Sequence, residues 1–205
     1  MRVLQAALEK KQRPHGALPP PYSTLETLLK MAIPSAVKKL KLPAPAYCMC
    51  IYYFDTHAPR EDYGFSVRVL TEPVRQRVAR ESPSPANLAE ELWLPQAGVG
   101  NGNEDLYQVN LAGNRELARL FGEVYDLLCD GEDDQMLHLR ELARRTAKAM
   151  NGRKWESQLS VTDDFVVVPA DGSGFFGGFD FMEEFEAAVP VERIALLRQR
   201  GYLAG

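Results

Sequence analysis

The chain has 205 residues, 45% of them hydrophobic and 25% charged, with a formal net charge of −4. That balance fits one globular domain with a sizeable core, and no apolar run approaches the ~20 residues that span a bilayer. Gln5 and Glu9 interrupt the apolar N-terminus, which therefore lacks a signal-peptide core, and three cysteines make no disulfide framework, so a cytoplasmic protein is expected.

Val3, Leu4, Ala7 and Leu8 form a short helical stripe, followed by a linker whose Pro19, Pro20 and Pro21 favour extended geometry. Residues 1–22 thus read as an arm and linker, and 23–205 as a single domain. Ser23-Thr-Leu-Glu26 predicts a capping box opening a helix with Leu25, Leu28, Leu29 and Ile33 inward. Pro34 is expected to break or kink it, with a short restart from Ser35 through Leu40. Lys38, Lys39 and Lys41 suit the negative pole of that helix.

Between Tyr47 and Thr71, two runs rich in aromatic and β-branched residues flank a polar turn, which predicts a β-hairpin. Alternation sets Cys48, Cys50 and Tyr52 on one face and Met49, Ile51 and Tyr53 on the other. Both faces are apolar, so this strand is expected at the centre of the sheet. Glu72-Pro73 opens a helix with a thin apolar side, Val74 and Val78. A short turn from Leu88 to Leu92 leads into Trp93, then a loop over 96–105 and a short strand from Leu106 to Leu111.

Asn114 is a cap for a helix carrying Leu117, Leu120, Phe121, Val124, Leu127 and Leu128 at the 3.6-residue period. A second helix, Glu132 to Met150, turns Met136, Leu139, Leu142, Ala143 and Met150 inward, making a helical hairpin. Asp163 to Pro169 reads as a buried strand, 171–180 as a glycine-rich loop, and Phe181 to Ala188 as a short helix. Pro190 starts the last helix, which Gly201 closes. This order predicts an α+β fold: a small mixed or antiparallel sheet of about three to five strands on a central hairpin, covered by several helices including the helical hairpin.

Charge is segregated along the chain. Residues 1–41 carry net +6, 81–139 net −10, 140–154 net +5 and 155–205 net −6. Such blocks either complement one another on the folded surface or present a patch to a partner. No basic stretch is interleaved with aromatics, which argues against nucleic acid.

The reactive side chains are few. Asp55 and His57 at the turn of the hairpin have the chemistry of an oriented general base, and also the composition of an ordinary turn. Cys48 and Cys50 read as small buried residues, poorly placed to bridge one another. Cys48, Cys50 and His57 lack zinc-site spacing, and although Cys129 and His138 can approach one another across the inter-helical turn, His138 between Leu137 and Leu139 reads as a helix-surface or satisfied interior histidine, so neither metal nor cofactor is expected. Of the paired acids, Asp133-Asp134 and Glu183-Glu184 suit helix N-termini, while Glu90-Glu91 and Asp163-Asp164 read as solvated surface. Phe175, Phe176 and Phe179 in the glycine-rich loop either pack inward or line a recognition surface, and Trp93 joins them as a binding candidate.

Size, the aromatic hairpin and the late strand–helix unit resemble small bacterial α+β proteins that include proposed toxin-immunity proteins. The resemblance implies a protein partner and carries no site residues. The expected function is therefore non-enzymatic interaction with a protein partner, through the acidic middle block or the aromatic loop. The alternative is a hydrolase using His57 with Asp55 in a cleft beside the hairpin. A third reading is a homo-oligomer joined through residues 1–22. Neither nucleic acid nor membrane is an expected partner.

Overall fold

All eight residues of β1, Ala46–Tyr53, are buried, because the strand lies inside a sheet covered by helices on both faces. The computed structural model describes residues 18–53, 65–81, 106–109, 111, 113–129, 135–171 and 181–203. Its mixed four-stranded sheet adds β2 (Phe65–Thr71), β3 (Leu106–Val109) and β4 (Val161–Asp171) in the order β3-β2-β1-β4. β2 is antiparallel to both neighbours, and β4 lies parallel to β1. The described helices are α1 (Tyr22–Val37), α2 (Glu72–Glu81), α3 (Arg115–Cys129), α4 (Gln135–Asn151), α5 (Phe181–Ala188) and α6 (Val191–Gln199). The chain is thus α+β, with β1 and β2 paired antiparallel at the middle of the sheet.

The alternation of β1 divides the core in two. Met49, Ile51 and Tyr53 join Phe65, Val67 and Val69 against Leu29 and Ile33 of α1, Phe121 and Val124 of α3, and Leu139 and Leu142 of α4. Cys48, Cys50 and Tyr52 join Leu70, Val166 and Val168 against Val74 of α2, Phe185 of α5, and Ile194 and Leu197 of α6. A strand covered on both sides has no polar face, which is why its sequence reads as a continuous apolar run. The ladder slips once: Ala46 faces Val161 and Cys48 faces Val166, so residues 162–165 of β4 stand opposite Tyr47 alone. That irregularity is a bulge, and it frees Asp163 and Asp164 from the ladder.

Two expectations for α1 are corrected. The helix begins at Tyr22, not with a capping box at Ser23: Leu25 N–H donates to the Pro21 carbonyl at 3.0 Å, and no side chain caps the end. Tyr22 is buried and its hydroxyl donates to Gln135 Oε1 at 2.6 Å, which fixes the first turn one residue earlier, while Glu26 turns to Lys30 and Arg145. Nor does Pro34 break the helix. It lies buried in the last turn, where packing against the core holds one helix through Val37 with no separate restart. Other ends match expectation. Asn114 Oδ1 accepts N–H bonds from Glu116 and Leu117 at 3.1 and 3.3 Å. Gly201 adopts φ +75° and Tyr202 N–H reaches back to the Leu197 carbonyl at 2.9 Å, a Schellman closure of α6.

One polar side chain finishes the outer edge of β4. Asn151, the last residue of α4, accepts from Val167 N–H at 2.8 Å and donates to the Val167 carbonyl at 2.7 Å, as a neighbouring strand would. The same amide donates to the Ala188 carbonyl at 2.9 Å, tying the end of α5 to the junction. Arg193 donates to the Phe165 carbonyl one step along the edge. These contacts occupy the edge at Phe165 and Val167, where another strand would otherwise find open backbone groups. Replacing Asn151 with Ala is expected to cost about 2–4 kcal/mol in urea unfolding, since two backbone acceptors and one donor lose their partner; a loss under about 0.5 kcal/mol, typical of a bland surface change, would contradict the role given to it.

Candidate functional site

Of the residues that the sequence singles out for chemistry, Asp55, His57, Trp93, Phe175, Phe176 and Phe179 lie outside the described residues. Cys48 and Cys50 are both fully buried on the α2/α5/α6 face, with their Sγ atoms 3.7 Å apart and unbridged. Burial, and then the neighbouring Cys50 thiol, push the Cys48 thiol well above its usual range, so it stays protonated and unreactive. His138 packs its ring on Tyr22, centroids 5.2 Å apart. Among the described residues no three His, Cys, Asp or Glu side chains converge as metal ligands.

The acids do not stand where the sequence put them. Asp163-Asp164 was expected on solvated surface, yet Asp164 is completely buried. Its Oδ2 accepts from Arg75 at 2.8 Å and from Arg200 at 2.7 Å, and its Oδ1 from the Thr162 hydroxyl at 2.7 Å. Arg75, with a side chain only 5% exposed, lies between the rings of Tyr47 and Tyr202, at 5.1 and 4.5 Å from their centroids. Glu72 Oε2 sits 2.6 Å from Arg75 Nη2 as an ion pair without hydrogen-bond geometry. Burial works against charge on both Asp164 and Arg75 and is outweighed on each: hydrogen bonds from Arg75, Thr162 and Arg200 lower the carboxyl, while Asp164 and then Glu72 raise the guanidinium. Arg200 also grips Asp163 through both oxygens at 2.8 and 2.7 Å, holding that carboxyl at about 2.

Local sequence explains the convergence. The β4 bulge turns the two aspartates out of the ladder, and the Schellman turn at Gly201 folds Tyr202 back over Arg75 and buries Leu203. An acid beside a continuous apolar strand was the signal available in the sequence. Its partner, 89 residues away on a helix with a thin apolar side, was not.

A second cluster joins α4 to α5. Glu184, also fully buried, accepts from Arg140 Nε, from Arg144 Nε at 2.7 Å and from Arg144 Nη2 at 2.8 Å. Glu183 takes one bond from each arginine, both at 2.8 Å. Hydrogen bonds from Arg144 and then Arg140 lower the Glu183 carboxyl despite partial burial. This pair therefore bridges two helices, where helix-end electrostatics alone was expected. Beside it runs an open groove of about 300 Å³ lined by Glu141, Arg144, Arg145, Lys148 and Ala187. Arg145 Nε lies 3.3 Å from Glu26 of α1, while Lys148 is exposed and makes no ion pair among the described residues. The basic block of residues 140–154 thus splits into arginines bound to acids and cations left at the surface.

No protein-family model matches the chain, and neither a curated protein nor a solved structure is similar to it.

Removing one partner from the interior pair should cost far more than removing both. Asp164→Ala is expected to lose about 3–5 kcal/mol in urea unfolding, and Arg75→Met with Asp164→Leu to recover most of it; a single-variant loss below about 1 kcal/mol would contradict the account. Both aspartates are lowered on folding, so their stabilisation is complete above the unfolded carboxyl value of about 3.9 and is lost as pH falls through the folded value of about 2 for Asp163. The melting temperature should fall across that window, and Asp163→Asn should flatten the fall; an identical profile for the variant would argue against the Arg200 grip.

Proposed function

We propose that the protein is a cytoplasmic, non-enzymatic interaction protein that holds a protein partner on the face formed by α4 and α5. The observation that carries this reading is the open groove there, with Lys148 exposed and uncommitted on its wall. The surrounding chemistry fits the same reading. The Cys48 and Cys50 thiols are buried, and the buried acids Asp164 and Glu184 are bound by arginines, so these groups serve the fold and leave the surface to recognition. Buried, unbridged thiols also suit a reducing compartment. An immunity protein works by occupying a toxin, which is the kind of partner that the resemblance in the sequence implies.

Photo-crosslinking in the native host tests the reading. A benzoylphenylalanine at Lys148 is expected to give an adduct with a defined protein, identified by mass, that the same group at the exposed Glu192 of α6 does not give. No adduct at position 148, or identical adducts at both positions, would contradict it.

A further inference from the structure

We infer that the end of the sheet where β1 and β4 begin is a docking surface for an anionic lipid membrane, an inference independent of the α4/α5 face. Ala46 stands opposite both Thr71 and Val161, so the α1–β1 junction (residues 38–45) and the α4–β4 junction (residues 152–160) enter the sheet side by side. The Ala46 N–H donates to the Ser160 carbonyl at 2.9 Å, and Leu40 and Leu42 pack on the cluster that holds Met150, Trp155 and Leu159. With the leucines turned inward, the alternating Lys39 and Lys41 are exposed, as is Lys38. Arg153 and Lys154 are exposed on the other junction, just before the buried Trp155 anchors it. Lys30, earlier on α1, is held by Glu26; these five cations have no acidic partner among the described residues. The two junctions contain one acid, Glu156, so five cations against one acid leave a net charge of +4. The two basic blocks of the sequence thus meet at one end of the sheet.

The kind of cation decides the partner. Four of the five are lysines, compact hydrated charges without the planar fork that reads a phosphate or carboxylate in fixed geometry. Lysine is depleted at protein–protein interfaces, and neither junction exposes a large apolar side chain to form an interface core. Single-stranded nucleic acid needs exposed rings for its bases, and the one aromatic residue here, Trp155, is buried. An anionic leaflet asks only that several cations face it within a Debye length, ~8 Å at physiological salt. The whole chain carries −4, so the field that draws this end repels the acidic remainder and sets the orientation. Resting on charge alone, the contact is peripheral and reversible.

Co-sedimentation of the full chain with lipid vesicles decides the question. Phosphatidylcholine vesicles with roughly one phosphatidylserine in three lipids are expected to carry the protein down, less so as salt rises, and pure phosphatidylcholine vesicles to leave it in solution. Lys39→Gln with Lys41→Gln, and separately Arg153→Gln with Lys154→Gln, should each weaken binding at least about tenfold. Arg80, at the far end of α2, and Arg115, which starts α3 beyond the opposite end of β3, are also exposed. Arg80→Gln with Arg115→Gln removes the same charge and should stay within about twofold of the unaltered chain. Thermal melts of all four proteins should coincide, so that a fall in binding reports the lost charge. The inference is overturned if anionic vesicles bind no more than neutral ones, if either junction pair leaves the affinity unchanged, or if the control pair weakens it as much. Tighter binding of duplex DNA or polyglutamate at the same salt, with the same dependence on both junctions, would also overturn it and make the surface a nucleic-acid or acidic-protein site.

Discussion

Everything in this fold follows from burying β1 on both sides. A strand with Met49 and Ile51 on one face and Cys48 and Cys50 on the other has no surface to give to water, so each face requires its own layer of helices. α1, α3 and α4 form one layer, and α2, α5 and α6 the other. Burial of side chains of this size contributes about 1.5–3 kcal/mol apiece, so the two layers together outweigh any single polar contact.

The polar networks make those layers specific. Apolar packing alone tolerates sliding of a helix across a sheet, whereas a buried carboxylate accepts few positions for its cation. Asp164 fixes α2 through Arg75 and the end of α6 through Arg200, and Glu184 fixes α5 on α4 through Arg140 and Arg144. Asn151 then joins α4, β4 and α5 through one amide. Arginine suits these places because its planar fork meets two acceptors at once and its face stacks on rings such as Tyr47 and Tyr202. The groove is a by-product of the same arrangement: with Arg144 bound to α5 and Arg145 to Glu26 of α1, Lys148 is left at the surface.

How much of this the sequence revealed depends on the range of the interaction. The centre of the sheet was legible because alternation within Tyr47 to Tyr53 is a local signal, as were the Asn114 cap and the Gly201 closure. The start of α1 was misread because the local Ser23–Glu26 pattern lost to tertiary partners, Gln135 for Tyr22 and Arg145 for Glu26. The buried acids were misread for the same reason, since adjacency in sequence says nothing of an arginine far along the chain. As for the site, segregation of the basic block 140–154 was visible, but which of its cations remain unspent required α5 in place. The candidates Asp55, His57, Trp93 and the phenylalanines at 175, 176 and 179 belong to segments outside the described residues.

Native-state hydrogen exchange reads the two-sided burial of β1 amide by amide. If β1 is held equally by both helical layers, the amides of Met49 to Ile51 and Val166 to Val168 should exchange only through global unfolding, with the free energy and urea dependence of the equilibrium transition. Exchange of those amides through a smaller opening, with α2, α5 and α6 released while α1, α3 and α4 stay protected, would contradict it.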